Sequence, residues 1–328
     1  MPYNDQNDHR PGAVRPPEPA PGERWSGLLR PHGEAGPSVP CFVLRGRDDG
    51  PTVLVTAGIH GAEYASIAAA QRLAAIEASA LHGRLIVVPI VNVAAYFARS
   101  IYVTPVDGKN LNRVFPGDPD GTYSDVLAHW VTGLMRGADA YLDLHGGDLV
   151  EALTPFAIHA AGTDATARRA ADLADAFGLP YRIEESGQGM TFSAAHALGI
   201  PAVLAEAGGQ GLWPDASVSM LEAGALRVLG ALDMGVSAPR AATRPAVVRE
   251  FAWSRSETEG CWYPAVQAGD RVRTGDRLGI VTDLLGETRQ EPRSTVDGTV
   301  MFAVTSLAIN RGDPLVGLAG GGRTREAA

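Results

Sequence analysis

Between residues 50 and 235, apolar runs alternate with segments of helical period, and this alternation restricts the fold more than any other feature. The runs are TVLVTAG (52–58), LIVVPIVN (85–92), AYLDLH (140–145), PFAIH (155–159) and PAVLAE (201–206), preceded by a shorter one at 41–44. Runs that stay apolar, without polar residues at every second position, are what a strand buried on both faces needs. Between and after them, 62–79, 122–135, 163–177 and 216–234 carry helical spacing. Strands and helices in turn predict an α/β domain, built as a mixed, mostly parallel sheet with helices on both faces.

The pattern changes at a Pro/Arg-rich break, APRAATRP (238–245). Beyond it, short strands are separated by Gly-Asp or Asp-Gly turns at 269–270, 275–276, 297–298 and 312–313, and no helical period survives. Residues 25–240 therefore read as the larger α/β domain and 246–319 as a small, β-rich, barrel-like domain. Pro, Gly and charge leave residues 1–24 little to bury, which predicts a disordered arm. Residues 320–328 read as a tail. A chain of 328 residues accommodates two such domains.

Charge and composition exclude several function classes. A net charge of −9 argues against nucleic acid as a partner. No run approaches the roughly 18 apolar residues of a membrane span, and the N-terminus has no apolar signal core. The expectation is a cytoplasmic protein with no membrane partner. Its two cysteines, Cys41 and Cys261, are too few for a disulfide scaffold. Lys109 is the only lysine, so Schiff-base chemistry has one candidate, and residues 246–328 have none to carry a lipoyl or biotinyl group.

In open α/β sheets the ligand sits beyond the carboxyl ends of the strands. The segment after TVLVTAG is IHGAE, with His60 and Glu63 at H-x-x-E spacing; residues three apart share a face at a helix start. After YLDL come His145, Gly146 and Gly147, where the glycines are expected to leave room for a metal and a substrate. Two nitrogens and a carboxylate suit zinc, and three protein ligands leave a position for water. Asp143 shares a strand face with His145 and can orient it from behind. Glu206 ends PAVLAE and suits a general base near water activated by the metal. The structural alternatives are a solvated His/Glu pair, a loop-capping Asp143 and a Glu206 paired with an arginine.

The loop DGKNLNRVFPG (107–117) sets Asn112 beside Arg113, a pair able to grip a carboxylate, or else a turn with a surface arginine. Asp148 and Glu151 follow His145 closely, either to receive a cationic amine or as loop and helix-start acids. Thr191 and Ser193 are candidate pocket-wall residues, while His196 and Tyr263 read as a helix-face residue and a core or interface aromatic.

In this order HGAE, DGKNLNRVFPG, DLHGG and EAGG strongly resemble the succinylglutamate desuccinylase/aspartoacylase family, zinc amidohydrolases related to the zinc carboxypeptidases. The resemblance covers about residues 50–235, with looser likeness in the β-rich domain. It implies one zinc ion per chain on His60, Glu63 and His145, Glu206 as the base, and Asn112 and Arg113 on the substrate's carboxylate. It also implies an upstream arginine at the scissile carbonyl. Arg99 is the candidate, in a stretch that has Val93 where the family commonly has proline. The implied reaction is hydrolysis of a small N-acyl amino acid or related amine, with a homo-oligomer left open. A metallocarboxypeptidase and a catalytically inactive small-molecule binding protein are the alternatives.

Overall fold

The computed structural model describes residues 12–320, apart from 35, 237, 239, 242 and 243. The first part of the chain forms β1 (Arg24–Leu29), β2 (Val39–Arg45), β3 (Asp48–Ala57), α1 (Tyr64–Leu73), β4 (His82–Val88), α2 (Val93–Ala98), α3 (Tyr123–Met135) and β5 (Ala140–His145). It continues as β6 (Glu151–Leu153), β7 (Phe156–Ala160), α4 (Ala165–Phe177), β8 (Tyr181–Glu185), α5 (Thr191–Ala197), β9 (Ala202–Glu206), α6 (Asp215–Ala231) and β10 (Ala246–Val248).

All of these strands except β6 form one sheet, in the order β1-β2-β4-β3-β5-β9-β7-β8-β10. The pairs β4/β3, β3/β5, β5/β9, β7/β8 and β8/β10 are parallel; β1/β2, β2/β4 and β9/β7 are antiparallel. The sheet is thus mixed and mostly parallel, as the apolar runs predict. The period of two along β3 builds both cores. Val53, Val55 and Ala57 pack with Leu73, Phe177 and Leu221 of α1, α4 and α6. Leu54 faces the other side with Leu127, Trp130 and Phe192 of α3 and α5. Each such large apolar side chain contributes about 1.5–3 kcal/mol by burial.

Local signals end the helices where the sheet needs them to end. Asp164 caps α4 by accepting the Ala167 N–H at 2.9 Å, and Gly178 closes it at φ 78°. Thr122 and Asp125 form a capping box on α3. The helix expected over 62–79 is shorter. It ends at Leu73, and a single tight turn at Ala78–Ala80 returns the chain to β4.

After β10 come β11 (Glu250–Arg255), β12 (Gly260–Pro264), β13 (Arg271–Val272), β14 (Gly279–Thr282), β15 (Thr288–Gln290), β16 (Gly298–Val304), β17 (Ala308–Ile309) and β18 (Pro314–Gly320). They form two antiparallel sheets, β11-β18-β16-β13 and β15-β14-β12-β17, around Trp262, Val281, Val300 and Leu315.

Three boundary expectations are corrected. Residues 12–23 lie against the larger domain: Trp130 Nε1–H donates to Val14 O at 2.9 Å, and Glu18 pairs with Arg84 at 2.7 Å. Their prolines suit an extended segment that borrows a neighbour's core. Residues 1–11 of the expected arm lie outside the described residues, as do 321–328 of the expected tail, whose first residue, Gly320, ends β18. The division at 246 is not clean either. β10 completes the main sheet beside β8, and β6 leaves the larger domain to pair with β16.

Candidate metal centre

Three adjacent strand ends converge. β3, β5 and β9 are neighbours in the sheet, and β5 and β9 run in parallel with His145 opposite Glu206. The turn after β3 carries His60 and Glu63, so the topology alone brings four polar side chains to one edge.

His60 and Glu63 do not meet on a helix face, as their spacing suggests. They meet in the turn before α1, where Glu63 is the N-cap residue at φ −86°, ψ 71°. Gly61 permits that turn, because a β-carbon there would stand 2.1 Å from the Tyr96 amide nitrogen. One Glu63 oxygen lies 2.7 Å from His60 Nδ1, and the other lies 2.9 Å from His145 Nδ1. The Gly146 N–H donates to that second oxygen at 3.1 Å. Ligand atoms of His60, Glu63 and His145 all lie within 4.8 Å of one another.

The far side of each imidazole is held. Asn110 Oδ1 accepts the Asn112 N–H at 2.9 Å, which fixes its amide orientation, and lies 3.0 Å from His60 Nε2. Asp143 Oδ2 lies 2.8 Å from His145 Nε2. Both acceptors require a proton on Nε2 and leave Nδ1 to face the centre, the tautomer a metal ligand needs. Asp143 is fully buried, and the hydroxyls of Thr56 and Thr191 donate to it at 2.7 and 2.6 Å. Thr56 is its register partner on β3. Asp143 is therefore an orienting group and caps no loop.

The charges are strongly perturbed. Burial works to raise Glu63, but the charges of His145 and His60 outweigh it and hold the carboxyl at about 2. Burial works to lower His145, yet Asp143 and Glu63 push it well above the ordinary histidine value. Glu206 is pushed well above the usual carboxylate range, first by burial. Its Oε2 is buried and has no hydrogen-bond partner among the described residues, so it is not the arginine-paired carboxylate of the structural alternative. An unpaired buried carboxyl of this kind keeps a proton unless a cation is near.

The glycines after His145 also allow a close backbone approach. A β-carbon on Gly146 would meet Ala207 O at 2.5 Å, and one on Gly147 would meet Glu151 O at 2.7 Å. They let the HGG and EAGG turns approach, joined by Gly147 N–H to Gly208 O at 3.0 Å. They close a backbone contact that larger residues would block.

The other candidates are distributed around this centre. Asn112 is buried, and its Oδ1 accepts the Thr191 N–H at 2.9 Å. Arg113 is exposed, and its guanidinium folds back to Asn112 O at 2.7 Å. Thr191 is tied to Asp143 and Asn112, and Ser193 caps α5, so neither is simply a pocket wall. His196 pairs with Asp164 on α5 at 3.3 Å, and Tyr263 is an exposed residue of β12. Lys109 is engaged with Asp125 at 2.6 Å.

Arg99, the candidate for the upstream arginine, lies at the end of a short helix. It caps the C-terminal end of α2 at φ 53°, is exposed, and lines a separate cavity with Tyr64, Tyr96 and Trp213.

Two contributors carried no signal in the sequence. Asn110 lies in the 107–117 loop, and nothing local marks it as the partner of His60, fifty residues earlier. Tyr102, at φ 59°, donates its hydroxyl to Glu151 and its N–H to Asp148 Oδ2 at 2.8 Å. Glu151 Oε2 accepts the Asp148 N–H at 2.7 Å. The two acids are thus satisfied internally and bind the 99–102 segment to the turn after His145.

Comparison with known proteins bears on the same residues. The model of the succinylglutamate desuccinylase/aspartoacylase catalytic domain matches residues 49–232. The N-alpha-acetyl-L-2,4-diaminobutyric acid deacetylase of Halomonas elongata is 33% identical over 293 residues, covering 86% of this chain and 85% of that protein. The product-bound ectoine utilization protein of Ruegeria pomeroyi superposes with a TM-score of 0.83 at 30% identity, over 91% of this chain and 95% of that one. A succinylglutamate desuccinylase/aspartoacylase from Rhodobacter sphaeroides gives 0.80 at 29%, over 90% and 94%.

Proposed function

The chain belongs to the succinylglutamate desuccinylase/aspartoacylase family, and from that premise we propose that it is a zinc-dependent amidohydrolase acting on a small N-acyl amino acid. The relatives' deacetylase and desuccinylase activities support amide hydrolysis. The observation that carries the metal is the orientation of the two imidazoles. Each Nε2 is anchored, and each Nδ1 faces the Glu63 carboxylate.

His60, Glu63 and His145 would hold the ion. Bound there, zinc supplies Lewis acidity toward a carbonyl and a water. Asp143 and Asn110 keep the two rings from turning. Glu206 takes a proton from the attacking water, holds it on its carboxylate, and returns it to the leaving amine. A carboxyl with an elevated proton affinity in a buried setting suits both halves of that transfer. Asn112 and Arg113 are the carboxylate-binding pair of this reading; Arg113 first exchanges its contact with Asn112 O for the substrate. Direct pairing of β6 with β16 ties the β-rich domain to the strand just after His145, which favours a small substrate over a long peptide.

The first test is elemental analysis of the purified chain with Glu206→Gln and His145→Ala. About one zinc per chain is expected in the parent and in Glu206→Gln, with loss from His145→Ala. Amine release from N-acetyl-2,4-diaminobutyrate and from a panel of N-acyl amino acids then reads the activity. No bound metal, and none regained on adding zinc, would overturn the hydrolase reading. Release of C-terminal residues from dipeptides in place of deacylation would move it to a carboxypeptidase.

A further inference from the structure

A cavity of about 580 Å³ is lined by Tyr64, Tyr96, Phe97, Arg99, Leu149 and Trp213, among others. Two of its wall residues adjoin residues of the site in sequence. Tyr64 follows Glu63, and Leu149 follows Asp148. Arg99 stands three residues before Tyr102. The lining includes none of His60, Glu63, His145 or Glu206 among the described residues. The cavity walls adjoin the metal-centre residues in sequence without including them.

Its walls are aromatic. Tyr64 meets Tyr96 edge to face at 6.0 Å between ring centroids and meets Trp213 at 5.8 Å; Tyr96 meets Phe97 at 5.2 Å. Trp213 is 61% exposed and Phe97 is 73% exposed. Large rings left this accessible around a concavity are a common sign of a binding surface. Gln71 adds an amide to the rim.

Among the described residues a single charged side chain lines the cavity, and it is a cation. Arg99 sits in left-handed backbone at φ 53°, a conformation that glycine or asparagine takes at less cost. Its N–H closes α2 on Tyr96 O at 3.2 Å, and its guanidinium makes no hydrogen bond or ion pair among the described residues. Among the described residues no carboxylate lines the cavity to compete with a ligand. A guanidinium over an apolar box complements one anionic group on an apolar body.

We propose that this cavity binds a small organic acid with an aromatic or aliphatic body, the rings covering the body and Arg99 pairing with its carboxylate. The acid has two sources. It is either the non-reacting arm of an N-acyl substrate, which rests on the amidohydrolase reading, or a free acid acting as an effector, which does not.

Binding is measured on chelator-treated protein by calorimetry and tryptophan emission, with 4-phenylbutyrate and octanoate as probes. Acetate, which lacks the body, and 4-phenylbutanol, which lacks the charge, are the controls. Saturable sub-millimolar binding of both probes is expected, with at least tenfold weaker binding of both controls. Arg99→Gly should lose at least tenfold in affinity while melting no lower than the parent, since glycine accepts the left-handed backbone. Trp213→Phe should remove the emission change and keep calorimetric binding. Absence of saturable binding, or unchanged affinity in Arg99→Gly, overturns the proposal. So does a change of oligomeric size in Phe97→Asp without acid binding, which would assign the rings to a second copy of the chain. The source is read on the zinc-loaded protein. Competitive inhibition by 4-phenylbutyrate marks a substrate arm, and a change in kcat without competition marks an effector. Because binding is measured without metal, a failed hydrolase reading leaves this result standing on its own.

Discussion

Asp143 and His145 stand two residues apart on β5 and point to the same face, with Asp143 Oδ2 2.8 Å from His145 Nε2. The strand's period of two places the carboxylate behind the ring, and Thr56 and Thr191 fill its other acceptor sites. Asp143→Asn keeps the size of the group but removes its charge. Zinc affinity, read by titration against a competing chelator, should fall by roughly 10–100-fold. Unchanged affinity would show that the carboxylate does not orient the ligand.

Removing the charge of Glu206 should separate chemistry from stability. In Glu206→Gln the turnover of an N-acyl substrate should drop by about 10²–10⁴-fold. The chelator-treated variant should unfold at the same or higher urea concentration than the parent, because Oε2 of Glu206 is buried without a partner. A marked loss of stability instead would mean that the carboxylate is held by a contact absent from this structure.

Glu151 predicts a pH effect on stability. Burial, first, and then the charges of Glu63 and Asp148 push it up to about 7, against the opposing hydrogen bonds from Tyr102 and Asp148. The folded chain therefore keeps this proton to higher pH than the unfolded chain. The associated stability is whole below the unfolded value, is lost as pH rises through about 7, and is then constant. Between pH 4.5 and 7.5, chelator-treated parent should lose on the order of 3 kcal/mol more than Glu151→Gln. Equal slopes in urea denaturation at the two pH values would sink the assignment.

Gly61→Ala tests the turn that presents His60 and Glu63. The added carbon would lie 2.1 Å from the Tyr96 nitrogen, a backbone atom that cannot swing away. A destabilisation of about 1–3 kcal/mol or more is expected, with weakened metal retention. Thermal melting and zinc content read the two effects separately.

Thiol accessibility follows from burial. Cys41 is buried on β2 and its thiol is pushed up to about 12, first by burial, whereas Cys261 on β12 is partly exposed. A thiol reagent at pH 8 should label Cys261 in the native protein and reach Cys41 only after unfolding. Rapid labelling of both would contradict the packing of β2.

The sequence was legible where local chemistry and burial agree. Continuous apolar runs have few stable settings other than a covered sheet, so β3, β4, β5, β7 and β9 could be read within a few residues. Residues closing those runs had to fall at one sheet edge once the strands were parallel, which is why His60, Glu63, His145 and Glu206 could be named together. The short elements α2, α5, β6 and β8 carry too few residues for a period to register. The extended segment at 12–23 has no core of its own and is ordered by contacts with β2, β4 and α3.

What the sequence determined by itself is the α/β class, the β-rich C-terminal region, and the identity of the groups at the strand ends, because these depend on period and residue type. Tertiary structure alone decided how those groups are used. Asn110 stands behind His60 across fifty residues of chain, and Tyr102 binds the acids after His145. Gly146 and Gly147 let two turns approach, and Arg99 lines a cavity with Tyr64, Tyr96 and Trp213. Each of these is a pairing across distant segments. Its energy comes from the satisfaction of buried polar groups and the exclusion of backbone overlap, quantities defined only when both partners are in place.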